Sequence, residues 1–238
     1  MTQNSAIFVE ETFALKSNKQ LEQAVDNRLL IFYVVKRIID LLFSLVILVF
    51  ILSWLLPILA ILIKLDSKGP VFFRQKRTGL EAKPFDCFKL RTMKVNKNAN
   101  DLQAAVDDPR ITRMGKFLRA SNLDELPQFI NVLLGDMSIV GPRPHMLNDS
   151  SKFSELFPGY YNRYLIKPGI TGLAQINGFR GPTPNVRSVY KRLQWDLYYV
   201  EHATIGMDIR IILLTGLETI REVLKVRTTK KLPDPAGK

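Results

Sequence analysis

From Leu41 to Ile63 the chain carries no charged residue, and no other feature limits its fold so sharply. As a helix at about 1.5 Å per residue the run is ~35 Å long, enough to cross a ~30 Å hydrocarbon core. Its length and its depth in the chain argue against a cleavable signal, and a buried core helix is the soluble alternative. Pro57 interrupts the run. Proline has no N–H for the carbonyl of Ser53 and its ring presses on that carbonyl, so a kink is expected there, with the Ser53 hydroxyl helping the freed group. Lys36 and Arg37 precede the run; Lys64, Lys68, Arg74, Lys76 and Arg77 follow it. Basic residues favour the cytoplasmic side. A helix-break-helix that dips into the bilayer and returns puts both clusters there, whereas a kinked spanning helix leaves residues 1–35 outside.

The rest of the chain divides around this run. Residues 1–35 are a mixed, weakly patterned arm without a cleavable signal pattern. Residues 36–66 hold the membrane segment, 67–226 a domain of soluble character, and 227–238 a tail. Within the domain, GPVFFRQKRTG (69–79), PFDCFKLRTM (84–93) and MSIVG (137–141) predict short strands. KPGITGLAQING (167–178) predicts turn glycines around a short apolar strand, and GPRPH (141–145) a rigid turn. Helices are expected around Arg113–Arg119, through LDELPQFINVLLG (123–135) and over Arg187–Val200. From Met207 to Lys225, Ile209, Leu213, Leu217, Ile220 and Leu224 mark one apolar helix face, which packs on the core or lies in the lipid interface. The fold class expected is a small mixed α/β domain.

Charge narrows the company this domain keeps. Lys and Arg number 34 against 22 Asp and Glu, a net charge of +12, which points to nucleic acid, anionic lipid or phosphorylated substrates. The single Cys87 excludes an intrachain disulfide framework and fits a reducing compartment. No Cys/His spacing resembles a zinc site, and His145 and His202 read as surface or core residues.

The stretch LDELPQ (123–128) sets two carboxylates, Asp124 and Glu125, side by side. One account is a capping box, with Asn122 as N-cap, Glu125 three residues on and Pro127 in the first turn. The other is a catalytic pair at a helix N-terminus, where N–H groups favour anions. Cations sit singly beside turn formers: Arg77-Thr78-Gly79, Lys89-Leu90-Arg91, Asp108-Pro109-Arg110 and Pro142-Arg143-Pro144. A guanidinium on a rigid turn loses little backbone entropy when it grips phosphate. A diphosphate substrate needs such cations, and usually Mg²⁺. One carboxylate can attack phosphorus and one can help hold the metal.

KRIIDLLFSLVILVF, IKLDSKGPVFFRQKRTG, FKLRTM, DDPRITRMGKFLRASNLDELPQFINVLLGDMSIVGPRPH and KPGITGLAQING, in this order, resemble the bacterial sugar transferase family, the monotopic phosphoglycosyl transferases. The resemblance runs from about Lys36 to Leu224. It implies transfer of a sugar 1-phosphate from a UDP-sugar to undecaprenyl phosphate with release of UMP, as the first membrane step of exopolysaccharide, capsule or O-antigen synthesis. Asp124 matches the family's nucleophile and Glu125 its partner, assisting with Mg²⁺ or the electrostatics of the dyad. Arg119 and Arg143 match phosphate contacts; Lys89, Arg91 and Asp196 match further substrate-binding positions. The implied fold is a small α/β catalytic domain beneath a re-entrant membrane helix, with interfacial amphipathic helices, on the cytoplasmic face of the bacterial inner membrane. Implied partners are UDP-sugar, undecaprenyl phosphate and membrane lipid, not nucleic acid; a homodimer stays open.

Some features depart from the family pattern. Ser53 and Pro57 are four apart where members often have Ser-Pro, and FRGPTP (179–184) follows Asn-Gly where many have Arg, so Arg180 is the residue to take that place. FRGPTP is similar to members that use glucose or galactose. The chain is too short for the extra N-terminal helices and intervening domain of other members. Two other accounts compete: a membrane-tethered basic protein that binds nucleic acid or anionic lipid without catalysis, and a transferase that makes a monophosphate-linked lipid and releases UDP.

Overall fold

The computed structural model describes residues 27–95, 108–181 and 185–223. The arm before Asn27, most of the polar loop after Val95, Pro182–Pro184 of FRGPTP, Leu224 and the tail lie outside the described residues.

Helix α1 (Asn27–Ile47) continues through a π-helical turn, Leu48–Leu52, into α2 (Ser53–Asp66). The departure from α geometry therefore lies ahead of Pro57, not at it. The N–H of Ser53 reaches back to the carbonyl of Leu48. Ser53 Oγ donates to Val49 O at 2.5 Å and Trp54 Nε1 to Phe50 O at 2.8 Å. The Ser53 hydroxyl serves Val49, four residues back, rather than the carbonyl at its own position, which it cannot reach. Carbonyls loosened by a wide turn need such partners where no water is at hand.

The helix is inside-out for water. Lys36, Asp40 and Ser44, one turn apart, are buried, while Ile38, Leu42, Leu45 and Val49 are exposed. Lys36 Nζ pairs with Asp208 at 2.6 Å. Asp40 accepts from Ser138 Oγ at 2.7 Å and from the N–H of Ile139 at 3.1 Å. Arg37 donates to the carbonyls of Val132 and Leu133. The far end of the run is also fastened to the domain: Leu59 and Ile63 pack with Leu90 and Leu118.

Two small sheets follow. Strands β1 (Phe72–Thr78) and β2 (Pro84–Leu90) form an antiparallel hairpin in which Phe73 faces Lys89 and Gln75 faces Cys87. After α3 (Arg113–Ser121), a 3₁₀ turn (Leu123–Glu125) and α4 (Gln128–Leu134) comes β3 (Ser138–Val140). It pairs in parallel with β4 (Gly169–Thr171), which leads into the one-turn α6 (Leu173–Ile176). The intervening α5 (Leu147–Leu156) and a 3₁₀ stretch over Tyr160–Tyr164 were not anticipated from sequence. Helices α7 (Val186–His202) and α8 (Ile205–Val223) close the chain. The main core gathers Phe85, Phe129, Met137, Ile139, Trp195 and Ile211.

Close approach explains two glycines. A Cβ on Gly141 would lie 2.4 Å from Lys167 O, and one on Gly169 2.1 Å from Gly141 N. The β3 exit and the β4 entry are thus packed backbone on backbone, which fixes where the Pro-Arg-Pro turn begins.

The apolar face of helix α8 does not pack on the core. Asp208 and Ile211 face the domain, whereas Ile209, Leu213, Leu217 and Ile220 are exposed. Its inward side is partly polar: Thr215 shares a 2.6 Å hydrogen bond with Thr171, and Thr219 accepts from Asn122 Nδ2 at 3.1 Å.

Candidate functional site

The hairpin, the end of α3, the dyad turn and the Pro-Arg-Pro turn surround an open cleft of about 510 Å³. Local chemistry shapes the dyad turn. Helix α3 is capped at its start by Thr112, whose side chain accepts from Gly115 N, and stops at Asn122 in the left-handed region, φ 59°. Asparagine tolerates that conformation better than most residues. The N–H of Glu125 then bonds Asn122 O at 3.2 Å, closing a 3₁₀ turn, and Pro127 leads into α4 with φ −62°. The capping-box expectation is therefore corrected. The Asn122 side chain goes to Thr219, and Glu125 turns into the cleft instead of back to the backbone.

Glu125 is buried and holds three cations. Lys89 Nζ lies 3.0 Å from Oε1. Arg143 forks onto it, Nη2 to Oε1 at 2.5 Å and Nη1 to Oε2 at 3.3 Å. Arg180 Nη2 stands 3.4 Å from Oε2, so the arginine after Asn-Gly-Phe does arrive at the dyad. Burial disfavours the Glu125 charge, but Arg143, Lys89 and Arg180 outweigh it and hold the carboxyl well below the usual range. Asp124, its neighbour, is also buried, yet accepts no hydrogen bond from a described side chain. Burial first, then the Glu125 charge, push its pKa up to about 6. Side by side stand a carboxylate ion-paired to three cations and one that feels Lys89, Arg119 and Arg143 only through their field.

Arg119 also lines the cleft, its Nε donating to Thr92 Oγ1 at 2.9 Å. Among the described residues, eight lysines and arginines line the cleft against three carboxylates. With Glu125 holding three of them, the surplus is positive, which suits a polyanion.

Two expected site residues do other work. Arg91 borders the cleft, but its terminal nitrogens donate to the carbonyls of Lys68 at 2.6 Å, Ser67 at 2.6 Å and Ile63 at 3.2 Å. It caps the C-terminal end of α2 and ties the apolar run to the hairpin, where a substrate-binding residue was expected. Asp196 is buried behind the cleft, paired with Arg163 Nη2 at 2.7 Å. That same nitrogen donates to Arg143 O at 2.7 Å, and Arg77 Nη1 donates to Pro144 O at 3.0 Å. Asp196 thus acts on the site through Arg163 and the backbone of the Pro-Arg-Pro turn. Arg163 lies in the segment that sequence patterns left unassigned, and no local signal singled it out. His145, as expected of a core histidine, is buried; Nδ1 meets Tyr160 Oη at 2.5 Å, and burial with Arg163, Arg192 and Arg77 nearby keeps it neutral.

The Asp196–Arg163 clasp yields a prediction. Asp196→Asn leaves a buried guanidinium without its counter-charge, which costs about 3 kcal/mol or more. A fall of roughly 10 °C in melting temperature follows. Wild-type melting would remove the clasp from the account of how Arg143 is placed.

The donor set fits magnesium in one way only. No group of three or more His, Cys, Asp or Glu side chains is placed to hold a metal among the described residues, and both Glu125 oxygens are taken by cations. Of the other two carboxylates that line the cleft, Asp124 and Asp149, Asp124 is the one beside Glu125 and its cations. Mg²⁺ keeps several waters and needs only one or two carboxylates when substrate phosphates supply the rest. A magnesium ion arriving with a diphosphate therefore fits here, with Asp124 as its protein contact; shared ligation by both dyad carboxylates does not.

Fold and cleft together define a small α/β protein with a predominantly cationic cleft beside an outward-facing apolar helix. Comparison with known proteins makes this specific. The family model described as bacterial sugar transferase matches residues 31–222, and the chain belongs to that family. It is 48% identical over 183 residues to a UDP-glucose:undecaprenyl-phosphate glucose-1-phosphate transferase of Klebsiella pneumoniae, covering 76% of this chain and 39% of the relative. A protein of the same name from Xanthomonas campestris pv. campestris is 50% identical over 164 residues, covering 68% and 34%. The exopolysaccharide production protein PSS of Rhizobium leguminosarum bv. phaseoli is 46% identical over 184 residues, covering 75% and 92%. The chain thus spans about two fifths or less of the first two relatives and nearly all of the third.

Proposed function

We propose that this protein transfers a hexose 1-phosphate, glucose 1-phosphate first among candidates, from a UDP-sugar to undecaprenyl phosphate, releasing UMP. The observation that carries the proposal is the unequal dyad: Glu125 bound by three cations, and Asp124 beside it ionised near neutral pH and accepting no hydrogen bond from a described side chain. An Asp124 oxygen attacks the β-phosphorus of the UDP-sugar. The bond from that phosphorus to the bridging oxygen breaks, and UMP leaves with the electron pair. An oxygen of polyprenyl phosphate then attacks the same phosphorus and frees the Asp124 carboxylate, leaving a polyprenyl diphosphate sugar. Arg143, Lys89 and Arg180, fixed by Glu125, and Arg119 face the phosphate charge without reorganising at the moment of reaction. A diphosphate-bound Mg²⁺, contacted by Asp124, would neutralise charge on the leaving nucleotide. The glucose assignment follows the names of the Klebsiella and Xanthomonas relatives.

The test is direct. Purified protein with UDP-glucose and undecaprenyl phosphate should release UMP, and with UDP-glucose alone should gain a phosphohexose by intact mass. UDP as product, or no adduct under quenching that preserves acyl phosphates, overturns the two-step route.

The same proposal places the protein at the inner membrane, with its domain on the cytoplasmic face and the Leu41–Ile63 run entering and leaving on that side. The inside-out stripe supports it, since each large apolar side chain gains about 1.5–3 kcal/mol on leaving water. So does the anchoring of both ends of the run on one domain: Lys36 and Asp40 at one end, the Arg91 clasp at the other. A helix crossing a ~30 Å core would carry one end away from the domain. A cysteine at Ser5, in a Cys87→Ser background, should resist a membrane-impermeant maleimide in intact cells and label after permeabilisation. Labelling in intact cells, with a cytoplasmic control still protected, would mean the run spans.

A further inference from the structure

The cleft has two ends of different character. Lys89, Asp124 and Arg143 line one; Pro70, Phe72, Phe73 and Val95 line the other, together with Arg91 and Lys94. The boundary falls between cross-strand neighbours, Phe73 and Lys89. Phe72 and Val95 are exposed, at 41% and 67%, an unfavourable setting for an apolar wall.

The position of this wall is set by Arg91. Its guanidinium borders the cleft and grips the carbonyl of Ile63 in the last turn of α2 and those of Ser67 and Lys68 just beyond it. The N–H of Arg91 bonds Val71 O at 2.8 Å, which holds Pro70–Phe72 at the same place. Gly69, at φ +131°, packs under Arg91 and Val95: a Cβ there would stand 1.9 Å from Arg91 Nη1 and 2.6 Å from Val95 Cγ2. The apolar end of the cleft thus opens where the outward-apolar helix ends.

We infer that the wall of Pro70, Phe72, Phe73 and Val95 is a subsite for the first isoprene units of the lipid acceptor, and that the chain leaves it along the end of α2 into the bilayer. The inference rests on the transfer reaction proposed above. An amphiphile with one phosphate and a prenyl tail matches a cleft that is cationic at Lys89 and offers the apolar faces of Phe73, Phe72, Pro70 and Val95 beyond it, rimmed by Arg91 and Lys94. A continuous apolar path also lets the phosphate reach Asp124 while the tail stays out of water. The competing occupant is the uracil base of the donor. The wall's place at the end of α2 favours the lipid, because a water-soluble nucleotide gains nothing from an opening toward the membrane.

The experiment uses the full chain in detergent and a two-isoprene phosphate carrying a diazirine on its tail. Photolabelling should fall on peptides containing Pro70–Phe73 or Val95 and be displaced by undecaprenyl phosphate but not by UDP-glucose. Phe72→Ser and Val95→Asn, at exposed positions and so without cost to folding, should each raise the acceptor KM about tenfold while leaving the KM for UDP-glucose unchanged. Labelling confined to α1 and α2, or an unchanged acceptor KM in both variants, overturns the subsite. A raised KM for UDP-glucose with an unchanged acceptor KM gives the wall to the uracil base. Photolabelling without turnover in the wild-type protein separates the two proposals: the lipid site stands and the proposed reaction fails.

Discussion

Asp124→Asn is expected to lower turnover by about three orders of magnitude or more, to abolish the phosphohexose adduct, and to raise the melting temperature. The loss follows from removing the attacking oxygen's charge while keeping its shape. The gain in stability follows from the site. Burial and the Glu125 charge raise the Asp124 pKa from 3.8 to about 6 in the folded state. A carboxyl whose folded pKa is raised contributes stability below its unfolded pKa and loses that contribution as pH rises through the folded value. Between about pH 4 and 6 the wild-type protein therefore gives up stability, on the order of 1–3 kcal/mol, that the asparagine variant keeps. The variant should melt several degrees above wild type at pH 8 and close to it at pH 4. The same pKa predicts that wild-type adduct formation declines below about pH 6. A variant that keeps a tenth of normal turnover returns Asp124 to a structural role; one that melts lower at pH 8 removes the case for strain in the Asp124 carboxylate.

Glu125→Gln should be nearly as damaging, for a different reason. It leaves Lys89, Arg143 and Arg180 crowded around a neutral amide. Removing one partner of a buried ion cluster costs roughly 3–5 kcal/mol, and the phosphate-facing fork of Arg143 loses its seat. We expect turnover to fall by about two orders of magnitude and the melting temperature by ~10 °C or more. Two further measurements separate this role from metal ligation. The Mg²⁺ concentration for half-maximal residual activity should not change, since both Glu125 oxygens already hold cations. The acid limb of the pH profile should move to lower pH, since the Glu125 charge helps to raise the Asp124 pKa. Rescue by excess Mg²⁺ would restore Glu125 as a ligand.

Much of this was legible in the chain because it is local. Strands β1 and β2, helices α3, α7 and α8, and the apolar run follow from short-range pattern and end signals. Asp124, Glu125, Arg119, Arg143 and Lys89 all line one cleft; the dyad and the Pro-flanked Arg143 stood out in the sequence, while Arg119 and Lys89 came from the family resemblance. The helical run 147–164 was not read, since α5 is mostly polar and the Tyr160–Tyr164 stretch is a 3₁₀ turn without a helical period. With it went Arg163, the residue that holds the Arg143 carbonyl.

By itself, the sequence determined that an uncharged run long enough for a bilayer precedes a basic α/β domain, that two carboxylates adjoin, and that an arginine stands rigidly between prolines. These are properties of composition, periodicity and φ restriction, which act over a few residues. Only the tertiary structure decided the division of labour. Glu125 draws its three cations from β2, the Pro-Arg-Pro turn and the segment after α6, and that convergence leaves Asp124 without a hydrogen bond from a described side chain. Arg91 became a helix cap because α2 ends within its reach, and Asp196 a buried counter-ion because α7 packs against Arg163. The outward face of α8 was likewise settled by which side met Ile211's neighbours in the core. Each outcome depends on long-range packing, since a side chain's role is set by the partners that folding brings to it, and those partners lie far away along the chain.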